Sequence, residues 1–168
     1  MRRAALFLLL ALAACSGKGP SGGNAAAPQD LESAAIERGL VSDPKDSEIV
    51  GLYARDTDRI CIVRQGYGYR IGAYVDYGDR ITCSGSGQVS RVGSTLHVEL
   101  GQGAACSFDA RFEGDKILFP GQLPDGCAKF CARRASFAGL EVARLSESVA
   151  EAQAMRDSRG RLLCGDGS

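Results

Sequence analysis

From about residue 49 onward, short runs of the chain alternate apolar and polar residues, a pattern typical of half-buried β-strands. In "TLHVEL", Leu96, Val98 and Leu100 share one face, while the polar residues share the other. The longer runs "YGYRIGAYVDYG" and "CSFDARFE" predict two further inward sets: Tyr67, Tyr69, Ile71, Ala73, Val75 and Tyr77, and Cys106, Phe108, Ala110 and Phe112. We therefore expect a sheet with one buried face.

Glycine-containing turns separate these runs and predict that consecutive strands are neighbours. They are Gly78-Asp79, Gly93-Ser94 and Gly114-Asp115. Glycine adopts the positive φ that tight hairpins require. The second turn would pair Val89 with Val98, and the third would pair Phe112 with Ile117, apolar with apolar in both cases. Local turns and the overall pattern agree on an antiparallel meander.

About eight strands are expected, at residues 49–53, 59–63, 67–75, 80–92, 95–100, 106–113, 116–119 and 136–145. A meander of so many short strands tends to close, because closure removes the exposed edges. The predicted fold class is mainly β: a small antiparallel meander barrel or curled sheet with a C-terminal helix, held by disulfides. Whether the interior is hollow or filled stays open.

Two short helices are also predicted. Ser148 and Glu151 form a capping box, followed by an apolar stripe of Val149, Ala152 and Met155. A second helix is expected at residues 31–38, before the β-rich region.

The first residues have the layout of a secretory signal peptide. Arg2 and Arg3 precede an apolar run that ends at Ala14. A run of about eleven residues is too short for a permanent transmembrane helix, which needs roughly 20. We therefore expect residues 1–14 to direct export and then to be removed.

The run ends in Leu12-Ala13-Ala14-Cys15, which resembles the lipobox of bacterial lipoproteins. The resemblance implies that Cys15 receives a diacylglycerol thioether, becomes the mature N-terminus and anchors the protein to a membrane. Ser16 at the next position implies sorting to the outer membrane. The alternative is ordinary cleavage after Ala13, which would release a soluble protein.

The mature chain would divide into two parts. Residues 15–44 would form the lipidated N-terminus, a flexible Gly/Ser/Pro/Ala tether and the short helix, and residues 45–168 a single β-rich domain. Without Arg2 and Arg3, 18 basic residues face 20 acidic ones, a net charge of −2. No strong basic stretch favours a nucleic-acid partner.

With Cys15 assigned to lipid, an even number of cysteines remains in an exported chain, which predicts three disulfides. The six are Cys61, Cys83, Cys106, Cys127, Cys131 and Cys164. Fifteen pairings are possible. Hairpin register favours only one of them, Cys83 with Cys106. The absence of a C-x-x-C pair argues against a metal site.

No constellation of catalytic residues emerges from the sequence, and neither a cofactor nor a metal is expected. His97 is the only histidine, and the alternation places it on the solvent side of a strand. The serines of "TCSGSGQ" do not form a nucleophile elbow, so we read this stretch as a flexible or bulged strand. The inward tyrosines are expected to pack in the core, although they could also line a ligand pocket.

The stretches "GLYARDTDRICIV" and "FPGQLPDGCAKFCARRASFAGLEVARLS" resemble a group of small, cysteine-rich bacterial envelope lipoproteins of uncharacterised activity. A second likeness, at the level of the fold, is to envelope lysozyme inhibitors. "CSGSGQV" has their Ser-Gly element and lacks their downstream Tyr and Lys. We expect a non-catalytic, lipid-anchored module facing the periplasm or cell surface, with a protein, glycan or small molecule as its ligand. Inhibition of a cell-wall hydrolase and an unrecognised enzymatic activity are the alternatives.

Overall fold

The computed structural model describes residues 31–40 and 47–165. Eight antiparallel strands form a closed barrel in which each strand pairs with its neighbours in the chain and β1 pairs with β8. The strands are β1 Gly51–Arg55, β2 Asp58–Gln65, β3 Gly68–Asp76, β4 Thr82–Val92, β5 Thr95–Leu100, β6 Ser107–Phe112, β7 Lys116–Leu118 and β8 Glu141–Ser146. The predicted fold class is confirmed.

The predicted registers are confirmed at two hairpins. Val89 of β4 pairs with Val98 of β5, and Phe112 of β6 pairs with Ile117 of β7. In each hairpin a glycine with positive φ occupies the turn, which allows the strands to reverse direction without steric strain.

Two expectations about strand limits are wrong. The last strand begins at Glu141 instead of residue 136, because a turn precedes it, with the Leu140 N–H donating to the Phe137 carbonyl. Tyr67 and Tyr77 are exposed and lie outside β3, so they do not join its inward face. Both tyrosines sit in the turns that flank this strand.

Side chains fill the interior of the barrel. Inward residues from all eight strands form one buried cluster, which includes Tyr53, Ile62, Ile71, Leu96 and Phe112. Among the described residues, every buried side-chain polar atom has a hydrogen-bond partner. The barrel is therefore filled by a packed core and is not hollow.

Different structures close the two ends of the barrel. At one end, the Tyr53 hydroxyl donates to the Ile49 carbonyl at 2.9 Å, and the guanidinium of Arg144 stacks over the Tyr53 ring. At the other end, a 3-10 helix, Asp125–Phe130, carries Phe130, whose ring lies against Gly85. The long connection between β7 and β8 thus acts as a plug.

The outer surface of β2 and β3 is covered by the end of the chain. A short helix α2, Val149–Ala154, and the segment after it bury a second apolar cluster that contains Cys61, Val63, Ala152, Met155 and Leu163. We call this surface the covered face. Strand β2 is consequently buried on both sides, which explains its uninterrupted apolar run "ICIV".

Both predicted helices are present, with small differences. The first helix, α1, spans Leu31–Glu37. At the start of α2 the Ser148 hydroxyl accepts a hydrogen bond from the Glu151 N–H, as the capping box predicts. Ala152 and Met155 are buried as expected, whereas Val149 is about half exposed.

All six cysteines predicted to form disulfides do so. The pairs are Cys61–Cys164, Cys83–Cys131 and Cys106–Cys127. The first pair attaches the end of the chain to the covered face. The other two hold the plug against the barrel.

The expected pairing of Cys83 with Cys106 is wrong. Strand β5 ends at Leu100, before it reaches the level of Cys83 on β4. The chain then turns through a 3-10 helix that directs Cys106 towards the plug. Cys131 instead forms an antiparallel bridge beside Cys83. The long β7–β8 connection supplied this partner, and hairpin register alone does not locate it.

Candidate functional site

Apart from the start of β4, where the Ser84 hydroxyl bonds to Asp157, the outer surface of β4, β5 and β6 is polar and uncovered, and we call it the open face. A cross-strand row runs over it from Arg70 at the edge of β3 through Gln88 and Glu99 to Ser107. A parallel row pairs Ser90 with His97, and His97 in turn with Asp109. Side chains in such rows lie about 5 Å apart and can act together on one ligand.

A groove of about 630 Å³ opens where the open face meets the β2–β3 turn. We refer to it as the groove. Its lining consists of Gln65, Gly66, Gly68, Tyr69, Gln88, Val89, Ser90, His97 and Glu99. The lining side chains that point outward carry amide, hydroxyl, imidazole and carboxylate groups, all of which form hydrogen bonds.

The β2–β3 turn shapes one side of the groove. Gln65 pairs directly with Gly68, so the turn consists of Gly66 and Tyr67 alone. Gly66 has a φ of 59°, which two-residue hairpins require at their first position. No atom lies within 4 Å of the position where a Cβ of Gly68 would stand. The two glycines therefore add no side chain to this side of the groove. Tyr67, between them, is fully exposed to solvent.

His97 is held by a chain of polar contacts across β5 and β6. Its Nδ1 lies 2.8 Å from a carboxylate oxygen of Asp109, and its Nε2 lies 3.1 Å from the hydroxyl of Ser107. Glu99 approaches the same Nε2 at 3.5 Å. The hydrogen bond with Asp109 raises the pKa of His97 above its usual value, and Glu99 adds to the effect.

Ser107, His97 and Asp109 have the connectivity of a hydrolytic triad, but their surroundings differ from those of one. The raised pKa favours the imidazolium more than in a free histidine, and in the imidazolium both ring nitrogens donate hydrogen bonds. About half of the His97 side chain and two thirds of the Asp109 side chain are exposed, so water screens their charges. The arrangement fixes the orientation of the imidazole at the groove.

The other sequence-predicted residues lie away from the groove or outside the described residues. Cys15 lies outside them, and the disulfide cysteines have structural positions. "TCSGSGQ" forms most of β4 and pairs with β3 in continuous register, so it is a strand, as expected, and carries no bulge. In the described part of the chain, no group of three or more His, Cys, Asp or Glu residues could hold a metal ion.

The sequence analysis missed Gln65 and Gln88 as groove residues and treated Tyr67 as a core residue. The signal for Tyr67 was available, because "QGYG" places an aromatic residue between two glycines, as in a tight turn. The two glutamines line the same groove from strands β2 and β4, and the sequence provides no separate signal for that placement.

Comparisons with protein-family models, with curated proteins and with solved structures found no match for this chain. No helix among the described residues has the length and apolar character needed to cross a membrane.

Proposed function

We propose that this protein is a non-catalytic, lipid-anchored module of the bacterial envelope that binds a glycan in the groove. The observation that carries this proposal is the fully exposed Tyr67 beside a groove lined by planar polar side chains. Anchoring through Cys15 would place the module at the outer membrane, where glycans of the envelope are within reach.

The packed interior supports recognition at the outer surface. Tyr53, Phe112 and their neighbours occupy the barrel, so it offers no internal chamber for a ligand of the lipocalin kind. The covered face is occupied by α2 and the segment after it. The open face remains available to a partner.

The chemistry of the groove matches a glycan better than an apolar ligand. Sugar rings present an apolar C–H face, which packs on an exposed aromatic ring such as Tyr67. Their hydroxyl and acetamido groups both donate and accept hydrogen bonds, as the side-chain amides of Gln65 and Gln88 do. Because Gly66 and Gly68 carry no side chains, a sugar ring can approach these amide groups.

Binding to purified peptidoglycan sacculi and to chitotetraose tests the proposal, using the full chain in neutral detergent. We expect Tyr67→Ala to weaken binding about tenfold, because loss of an aromatic stacking contact costs about 1.5 kcal/mol. Tyr67→Phe should retain binding, because the ring is kept. Tyr77→Ala is the matched control, since Tyr77 is exposed in the turn at the other end of β3.

Equal binding by the wild-type protein and Tyr67→Ala would contradict the proposal. So would inhibition of c-type lysozyme at high molar excess without binding to sacculi, which would favour hydrolase inhibition instead.

The anchor has a separate test. Cys15→Ala should move the protein from the membrane fraction to the soluble periplasmic fraction, because the thioether can no longer form. Retention of this variant in membranes would rule out Cys15 as the anchor, without affecting the groove.

A further inference from the structure

A second polar pocket, of about 280 Å³, lies at the opposite end of β4 from the groove. It is formed by the start of β4, the end of the plug and residues 157–161. The side chains relevant to its chemistry are those of Thr82, Ser84, Lys129, Asp157, Ser158, Arg159 and Arg161. The lining thus carries three cationic side chains, three hydroxyl groups and one carboxylate.

The carboxylate of Asp157 is fully engaged in holding the pocket together. One oxygen accepts hydrogen bonds from the N–H groups of Arg159 and Arg161, at 2.9 and 3.0 Å. The other accepts from the Ser84 hydroxyl at 3.0 Å and from the Arg161 guanidinium at 2.8 Å. The Asp157 side chain is 1% exposed, so its charge is neutralised chiefly by Arg161 and points away from solvent.

Two cations of the pocket, both exposed to solvent, have no ion-pair partner in the part of the chain that the structure describes. Neither Lys129 nor Arg159 forms an ion pair with any described residue. The Lys129 ammonium lies 5.1 Å from the centre of the Phe130 ring, which limits its movement. The backbone of Arg159 is fixed through Asp157. Two such positive groups, beside hydroxyl donors, form a site that a multiply hydrogen-bonding anion would neutralise.

We propose that this pocket binds a phosphate group. Arg159 would supply paired N–H donors and Lys129 a point charge, and the hydroxyls of Thr82 and Ser158 would complete the set of donors. The phosphate could belong to a lipid headgroup or be free in solution, since both present the same oxygens. This site is separate from the groove and does not depend on glycan binding.

Isothermal titration calorimetry on the full chain in neutral detergent tests the site. The probes are inorganic phosphate, soluble dihexanoyl phosphatidylglycerol and, as a zwitterionic comparison, dihexanoyl phosphatidylcholine. We expect Arg159→Gln and Lys129→Gln each to weaken binding about tenfold, the effect of losing one charge-assisted hydrogen bond. Arg159→Lys should recover part of the loss. Lys116→Gln removes the same charge from β7 and should leave affinity unchanged.

The outcomes are distinct. Arg159-dependent binding of inorganic phosphate supports a free-phosphate site, and Arg159-dependent binding of phosphatidylglycerol alone supports a headgroup site. Equal weakening by Lys116→Gln and Arg159→Gln would show attraction by overall charge and overturn the proposal. Absence of binding by both anionic probes would overturn it as well. Because Lys129 and Arg159 lie on different segments, a fold defect in one variant leaves the other informative.

Discussion

The covered face and the open face belong to the same barrel but differ in what lies above them. Over the covered face, Leu163 packs so closely that its Cβ would lie 2.5 Å from a Cβ added to Gly72. At the β2–β3 turn, beside the open face, the corresponding space above Gly68 contains no non-neighbouring atom within 4 Å. Two glycines of one strand thus have different surroundings: a packed segment lies against Gly72, and the groove opens beside Gly68.

The difference teaches that the two outer faces of one barrel have different surroundings, and under the proposed function they serve different purposes. Burial of a second apolar cluster on the covered face adds stability to a small domain, whose single core is limited by its size. The open face bears exposed polar side chains, from which we expect little contribution to stability.

Removing the disulfide of the covered face should have the largest effect on stability. Cys61→Ala with Cys164→Ala opens a link across 103 residues and should lower the free energy of unfolding by about 4 kcal/mol. Cys106→Ala with Cys127→Ala opens one across 21 residues and should cost about 1 kcal/mol less. Urea unfolding of both double variants measures the two losses. A smaller loss for the Cys61–Cys164 pair would contradict the expectation that this link contributes more to the free energy of unfolding.

Asp157→Ala should lower the free energy of unfolding by about 2–3 kcal/mol, because four donors lose their buried acceptor. Asp109→Ala, on the open face, should cost less than about 0.5 kcal/mol. Urea unfolding compares the two variants. If both variants lose the same free energy of unfolding, side chains of the open face contribute as much to stability as Asp157 does.

The contribution of Asp157 should also depend on pH. Burial alone would raise its pKa, but the hydrogen bonds from Arg161, Arg159 and Ser84 outweigh burial, so the pKa is lowered. A lowered pKa gives stability that is present above the unfolded value of about 3.9 and lost as pH falls through the folded value. In acid unfolding experiments, Asp157→Ala should therefore show a weaker loss of stability in this range than the wild-type protein does.

Adding one methyl group to Gly72 and to Gly68 compares the covered face with the edge of the groove most directly. Gly72→Ala should lower the free energy of unfolding by about 1–3 kcal/mol, because the methyl group collides with Leu163 and with the sulfur of Cys61. Gly68→Ala should leave stability within about 0.5 kcal/mol of the wild type. Thermal unfolding monitored by circular dichroism measures both. A tolerated Gly72→Ala would mean that the segment over the covered face is loosely packed.

His97 should produce the smallest effect on stability. Its raised pKa means that protonation favours the folded state, so this contribution is present below about pH 6.5 and is lost as pH rises through the folded pKa. Because the side chain is half exposed, the change should not exceed about 0.5 kcal/mol. Proton NMR follows the single histidine directly, and Asp109→Asn should lower its pKa. An unchanged pKa in that variant would exclude Asp109 as the cause.

Strand positions were predictable because alternation in runs such as "TLHVEL" reflects burial of one face, which is a local property. The turns at Gly93 and Gly114 were predictable for the same reason, since positive φ depends on the residue itself. Cys83 lacked such a signal, because its partner lies on a connection whose path depends on the packed core. Tyr67 was assigned to the inward face although it lies in the turn before β3, because the alternation was extended one residue ahead of Gly68, where the strand begins.

The sequence by itself determined the eight strands, their order and the number of cysteines available for pairing, since these follow from short-range periodicity and composition. Only the tertiary structure decided that the barrel is filled, which cysteines pair, and which outer face is covered. These features arise where segments distant in the chain meet, as Cys61 meets Cys164. Such contacts form only when the core is packed and the segment after β8 lies against the strands, so no short stretch of sequence specifies them.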